Sequence, residues 1–160
     1  MPATISDTPT PALLLDAELL ALNIERMRSH LERLGVPLRP HAKTAKSMDV
    51  LALALAGQPG GIAVSTLKEA EHFFERGVRD ILYAVAVVPG KLARVAALIR
   101  RGADVTVILD NAAAARFLGQ AAAALRVTFP VLIELDVDGH RSGVRPDSPR
   151  PLRCRSFHRP

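Results

Sequence analysis

Short β-branched runs alternate with helix-like stretches along most of the chain, and a glycine precedes most of these runs. The glycines are Gly35, Gly57, Gly77 and Gly102. The runs cover residues 37–41, 62–65, 80–85 and 104–109, and residues 130–137 form a fifth run without a glycine before it. Glycine ends helices because it adopts the left-handed conformation freely, and runs that are apolar on both sides are typical of a buried parallel sheet. The pattern predicts an α/β fold of tandem units, arranged as a TIM barrel or as a doubly wound sheet.

Local chemistry indicates where several helices begin and end. Asp16 is expected to cap a first helix that Gly35 ends, because a carboxylate accepts hydrogen bonds from the free amide groups of the first turn. Thr66 and Glu69 have the spacing of a capping box. Asp110 is expected to cap a later helix.

The positive charge of the chain is concentrated at its end. The net charge is +5, and residues 149–160 hold four arginines and no acid, so the remainder carries +1. This division predicts one folded domain over residues 1–148 and a basic tail over residues 149–160. The tail does not continue the preceding α/β pattern and is suddenly rich in Arg and Pro, so we interpret it as a non-native product of a frameshift or truncation. Because the body is close to neutral, no nucleic-acid partner is expected.

The remaining composition excludes several classes of protein. Cys154 is the only cysteine, so no intramolecular disulfide and no cysteine-based metal motif is expected. No stretch approaches the ~18 uninterrupted apolar residues of a membrane span, and the first residues lack the form of a signal peptide. We therefore expect a cytoplasmic protein without a membrane partner. The motifs GxSxG, HExxH, the P-loop and the dinucleotide fingerprint do not occur.

Two clusters of polar residues follow predicted strands, at residues 41–46 and 136–141. In parallel β/α folds the chemistry lies at the carboxyl ends of the strands, so these clusters are the candidate site. Lys43 would place its amine at that edge, although a lysine in a loop is more often simply solvated. From the sequence pattern alone, Arg141 is more simply interpreted as a loop arginine paired with Asp136 or Asp138. Those two aspartates, two residues apart, are expected on opposite sides of a strand, which argues against joint acid–base work.

Four segments of the sequence resemble a known enzyme family. They are RPHAKTAKS at residues 39–47, VSTLKEAE at 64–71, DILYAV at 80–85 and ELDVDGHRSGV at 134–144. Together they resemble the D-serine dehydratase and D-threonine aldolase family, whose N-terminal barrel is similar to that of alanine racemase. The resemblance runs in register from about residue 8 to residue 144. Within the family, these segments are most similar to the dehydratases of D-3-hydroxy amino acids.

The resemblance implies an incomplete TIM-type (β/α) barrel that binds pyridoxal 5'-phosphate (PLP). Lys43 would form the Schiff base with PLP and take the α-proton of the substrate, and Arg141 would lie near the phenolic oxygen of the PLP ring. We expect both at the same end of the strands, converging on one cavity, with the cations Arg39 and Lys46 also beside the amine. His41 and His140 are either supporting groups or ordinary turn residues.

The implied function is that of a PLP-dependent lyase acting on a small D-3-hydroxy amino acid, with a D-threonine aldolase-like carbon–carbon lyase as the alternative. Full-length relatives are expected to be homodimers that also use a divalent metal, whose ligands would follow residue 144. No metal ligand is therefore predicted in this chain. A further alternative is an inactive fragment, which binds PLP weakly or contacts polyanions through its basic tail.

Overall fold

The computed structural model describes residues 4–146, so the predicted tail at 149–160 and Cys154 lie outside the described residues. The chain divides into two compact units, residues 1–38 and 39–160. The first unit contains a 3-10 turn, Ile5–Asp7, and the helix α1, Ala17–Leu34. Asp16 caps α1 by accepting from the Leu19 amide at 2.9 Å, and Gly35 ends it with φ +64°. Both predicted boundaries of this helix are confirmed.

The second unit is a parallel sheet with helices between its strands. The strands are β1 (Ile62–Val64), β2 (Asp80–Ala86), β3 (Asp104–Leu109) and β4 (Val131–Ile133). The helices are α2 (Met48–Leu55), α3 (Leu67–Phe74), α4 (Leu92–Arg100) and α5 (Ala112–Leu125), with a 3-10 turn at Pro89–Lys91. The strands pair in the order β1-β2-β3-β4, and each pairing is parallel. Because the order never reverses, the partial TIM-type barrel is confirmed and the doubly wound sheet is wrong.

The first predicted strand, residues 37–41, is reduced to a single bridge. His41 pairs with Ala63 in the parallel sense, through Ala42 N–H to the Ala63 carbonyl at 2.8 Å and Ala63 N–H to the Pro40 carbonyl at 2.9 Å. Pro37 and Pro40 have no N–H to donate, which prevents a longer ladder. Residues 4–146 therefore contain four strands where the sequence predicts five, and the last predicted run, 130–137, forms a strand only over Val131–Ile133.

The core lies between the sheet and its helices. Ile62, Ile81 and Val105, which are paired across the first three strands, are completely buried with Phe73 of α3 and Val95 of α4 in one apolar cluster. Side chains alternate between the two faces of a strand. The intervening residues therefore line the opposite face of the sheet, where paired positions include Ala63, Leu82 and Thr106.

The predicted helix caps are confirmed at α3 and wrong at α5. Thr66 and Glu69 form the capping box of α3. At α5 the cap is Asn111, whose side chain accepts from the Ala114 amide at 2.8 Å, while the Asp110 carboxylate accepts from the Asn111 side chain at 2.7 Å. Both residue types can cap a helix, but α5 begins at Ala112, so Asn111 and not Asp110 occupies the N-cap position. Within residues 4–146, no helix has the length and apolar character needed to span a membrane.

Candidate functional site

Lys43 lies in a tight turn at the carboxyl edge of the sheet, directly after the bridge at His41. The Lys46 amide donates to the Ala42 carbonyl at 3.1 Å, and Lys46 has the left-handed φ of +51°. Ser47 then caps α2. Lys43 is exposed, and among residues 4–146 its amine makes no hydrogen bond or salt bridge. The amine is therefore available to a ligand at this edge.

His41 contacts both the turn and the neighbouring strand. Its Nδ1 accepts from the Lys43 backbone amide at 3.3 Å, and its Nε2 lies 3.3 Å from the Ser65 hydroxyl. Burial and the positive charge of Lys43 lower the pKa of His41 below its ordinary value of 6.5, while Glu69 opposes the shift. The ring is therefore favoured in its neutral form, with the proton on Nε2.

Glu69, in the first turn of α3, accepts hydrogen bonds from groups beside the Lys43 turn. It accepts from the Ser65 amide at 2.9 Å and the Thr66 amide at 3.2 Å, and it forms a salt bridge with Lys46 at 3.4 Å. Burial alone would raise the pKa of Glu69, but these amides and Lys46 outweigh it and hold the pKa below 4.5. The carboxylate thus fixes Lys46 and leaves Lys43 as the free amine of the turn.

Arg141 lies near the tip of a closed loop, residues 134–144, that follows β4. The Asp136 amide donates to the Val144 carbonyl at 3.0 Å, and the Val144 amide donates to the Glu134 carbonyl at 2.8 Å. Inside the loop, the Ser142 hydroxyl donates to Glu134 at 3.0 Å. This closure holds the residues on either side of Arg141 in place.

The Asp136 carboxylate accepts from the Gly139 amide at 2.9 Å. Over the described range, 4–146, the four salt bridges involve neither Arg141 nor Asp138. The alternative interpretation of Arg141 as a partner of Asp136 or Asp138 is therefore not what the structure shows. The Arg141 side chain is exposed, which leaves its guanidinium open to an anionic group.

The structure brings most of the predicted site to one edge but moves one residue to the other. Lys43 follows the bridge at His41, and Arg141 follows β4, so both come after the carboxyl ends of parallel strands. Arg39 instead forms a bidentate ion pair with Asp80 at the amino end of β2, and both N–O distances are 2.7 Å. The expectation that Arg39 lies beside the Lys43 amine is wrong. The extended residues around the His41 bridge separate the two side chains, so that Arg39 lies at the amino edge of the sheet and Lys43 at the carboxyl edge.

A cavity of about 470 Å³ lies beside the first turn of α3. Its lining residues are Lys46, Thr66, Lys68, Glu69, His72 and Phe73. Neither Lys43 nor Arg141 lines this cavity, so it is not the shared cavity that the sequence predicts for them. In the part of the chain described, 4–146, no group of three His, Cys, Asp or Glu residues is arranged to hold a metal ion.

The donors at the carboxyl edge fit PLP. A free lysine amine suits its aldehyde, and a free guanidinium suits its phenolate, as a charge-assisted hydrogen bond. Sequence reasoning left His41 open and took Glu69 only as a helix cap. The position of Ser65, directly after the neighbouring strand, was the feature that could have linked these two residues to the lysine turn.

Parallel β/α units with polar residues at the carboxyl edge define a domain of the β/α-barrel type. The chain belongs to the alanine racemase N-terminal domain family, which matches residues 15–155. It is 46% identical over 147 residues to D-threo-3-hydroxyaspartate dehydratase of Delftia sp. strain HT23, covering 92% of this chain and 39% of that protein. It is 36% identical over 140 residues to D-threonine aldolase of an Arthrobacter species, covering 87% of this chain and 37% of the aldolase.

The solved structure of the Delftia dehydratase superposes with a TM-score of 0.85, over 88% of this chain and 37% of the other. One structure of that dehydratase is of a mutant in the metal-free form. The chain thus spans under two fifths of the length of the relatives that it matches.

Proposed function

We propose that this chain is the PLP-attachment part of a lyase acting on D-3-hydroxy amino acids, in the manner of a D-threo-3-hydroxyaspartate or D-serine dehydratase. The observation that carries the proposal is the free amine of Lys43 in a fixed turn at the carboxyl edge of the sheet. The 46% identity to the Delftia dehydratase and membership of a family of PLP enzymes support it.

Each residue of the edge has a distinct task in this proposal. Lys43 holds the cofactor covalently and, when released from it, takes the α-proton of the substrate. Arg141 donates to the phenolate oxygen of the cofactor from the closed loop after β4. When bound, PLP supplies an electron sink for the carbon that loses the proton.

The neighbouring residues keep Lys43 distinct from the second lysine of the turn. Glu69 engages Lys46 at 3.4 Å, so Lys46 is neutralised by a partner while Lys43 is not. His41 and Ser65 fix the backbone from which Lys43 extends. The turn therefore offers one reactive amine rather than two.

Covalent attachment of PLP tests the proposal directly. The 160-residue chain is incubated with PLP and reduced with borohydride, and the modified lysines are identified by mass spectrometry. We expect the adduct on Lys43, its loss in Lys43→Ala, and its retention in the matched control Lys46→Ala. Arg141→Ala should keep the site of attachment but weaken PLP retention about tenfold, the effect of one charge-assisted hydrogen bond. Equal labelling of Lys43, Lys46, Lys68 and Lys91 would contradict the proposal.

A carbon–carbon lyase is the second candidate, supported by the 36% identity to D-threonine aldolase. The two activities differ in the bond that breaks next to the α-carbon. Assay of the chain with PLP, a divalent metal and D-threo-3-hydroxyaspartate, D-serine or D-threonine separates them. Ammonia and a keto acid indicate a dehydratase, whereas an aldehyde and glycine indicate an aldolase.

A further inference from the structure

The His41 ring is held at both nitrogens, and one of its partners is the backbone of Lys43. A backbone amide can only donate, so Nδ1 must carry a lone pair to accept from the Lys43 N–H at 3.3 Å. The remaining ring proton is then on Nε2, where it can donate to the Ser65 hydroxyl at 3.3 Å. The neutral ring therefore satisfies both contacts with one tautomer.

Ser65 ties this arrangement to the sheet. It follows β1, and its own amide donates to Glu69 at 2.9 Å. The Lys43 turn is thus joined to β1 and α3 through His41, in addition to the backbone bond from Ala42 to Ala63. The lysine itself stays exposed while its backbone is restrained.

We propose that neutral His41 is a positioning residue for Lys43, which holds the lysine turn through the Lys43 N–H to Nδ1 bond and releases it when Nδ1 is protonated. The proposal rests on the role of Lys43 in the proposed function. A protonated Nδ1 would face the Lys43 amide donor with a second donor, so the bond cannot survive protonation. The consequence is a lysine turn that loosens as the pH falls.

Charged groups around the ring set the direction of this response. Lys43, from the same turn, disfavours the protonated ring, and Glu69, from α3, favours it. Glu69 is itself paired with Lys46. Burial and Lys43 together prevail, so the pKa of His41 lies below 6.5 and the bond is intact at neutral pH.

The test follows the Lys43 amide by nuclear magnetic resonance in the full chain without PLP. We expect its exchange protection, relative to an unstructured peptide, to fall about fivefold as the pH drops from 7 through the His41 titration, the effect of losing one ordinary hydrogen bond. The titration of His41 is followed in the same samples through its ring resonances. Protection that does not change while His41 titrates would overturn the proposal, and this measurement needs no variant.

Two variants separate the two ring nitrogens. In His41→Asn the side-chain oxygen replaces the Nδ1 acceptor, so we expect Lys43 protection to be retained and to show no step between pH 7 and the acid limit. In His41→Gln the amide replaces the Nε2 donor and the acceptor is lost, so protection should be about fivefold lower at pH 7. Equal protection in both variants would overturn the assignment of Nδ1.

The rate of PLP attachment connects the hydrogen bond to Lys43 chemistry. His41→Asn should attach PLP to Lys43 faster than His41→Gln at pH 7, and its rate should lack the component that follows His41 titration. If the amide measurements behave as expected while PLP never modifies Lys43, the proposed function fails and the hydrogen bond stands. If Lys43 is modified equally in both variants, His41 is not a positioning residue.

Discussion

The amino and carboxyl edges of the same sheet differ in whether their charged side chains have partners within the chain. At the amino edge, Arg39 and Asp80 satisfy each other with two bonds of 2.7 Å, and this contact raises the pKa of Arg39 further. Arg79 and Arg101 lie over the ring of Phe74, at 4.7 and 5.0 Å from its centre. Each of these cations has a partner supplied by the chain.

At the carboxyl edge, neighbouring groups are held in place while two cations are left free. Glu69 neutralises Lys46, yet Lys43 and Arg141 have no ionic partner among the described residues, 4–146. The comparison teaches that the charges at the amino edge are paired within the fold, whereas the free charges in a restrained backbone lie at the edge where we propose that the cofactor binds. This division matches the general arrangement of β/α barrels.

The largest expected effect is that of Gly143→Ala, because it removes the restraint around Arg141. Gly143 has φ +126°, and an added Cβ would lie 2.5 Å from the Asp136 amide nitrogen and 2.8 Å from the Leu135 carbonyl carbon. We expect a loss of about 2–4 kcal/mol in the stability of the loop, measured by hydrogen exchange at the Val144 amide. Gly139→Ala is the control, since its φ is +70° but no atom lies within 4 Å of the added Cβ, and about 1–2 kcal/mol is expected. Similar losses for the two glycines would mean that the closed loop tolerates a side chain at residue 143.

Glu69→Ala is expected to cost about 1–2 kcal/mol in the free energy of unfolding, since it removes a helix cap and the partner of Lys46. The pKa of Glu69 in the folded chain is below its ordinary 4.5, so its stabilisation is complete above that pH and is lost as the pH falls through the folded value. The difference between wild type and variant should therefore shrink under acid conditions. Urea unfolding between pH 7 and pH 3 measures it.

Glu75→Ala is the matched control for that experiment, because Glu75 is exposed at the other end of α3. A change within about 0.5 kcal/mol and without pH dependence is expected there. A pH-independent effect of Glu69→Ala would show that the carboxylate charge does not stabilise this edge.

The smallest expected effect is that of Asp80→Asn at the amino edge. The two side chains of the Arg39–Asp80 pair are 38% and 42% exposed, so solvent weakens the pair and a loss of about 0.5–1 kcal/mol is expected. PLP attachment at Lys43 should be unchanged, in contrast to the effect of Lys43→Ala. Altered attachment in Asp80→Asn would remove the distinction between the two edges.

Sequence patterns predicted the parts of this fold that depend on local backbone preferences. The glycine at Gly35 and the capping box at Thr66 act through hydrogen bonds within a few residues, so their type and spacing suffice. Local patterns could not predict at which edge of the sheet, amino or carboxyl, the Arg39 side chain lies. Its closeness in sequence to Lys43 suggested that Arg39 lies beside the Lys43 turn, whereas its ion pair with Asp80 joins residues that are 41 positions apart.

The candidate site shows the same limit. The resemblance of residues 39–47 and 134–144 to a known family indicated Lys43 and Arg141, and both follow the carboxyl ends of strands. The bond from Lys43 N–H to His41 could not be predicted, because it requires the ring rotamer that Ser65 fixes from the next strand. Choosing between Asp110 and Asn111 as a cap likewise requires knowing that α5 begins at Ala112.

The double closure of the loop at residues 134–144 also has a meaning for protein engineering. The Glu134 carbonyl and the Asp136 amide both form hydrogen bonds with Val144, so the loop at residues 134–144 is closed by its own backbone. We therefore expect that the segment can be exchanged as a cassette between related chains without a shift in the register of β4. Chimeras joined at Glu134 and Val144 would test whether the reaction type depends on the loop that contains Arg141 or on the part of the chain that contains Lys43.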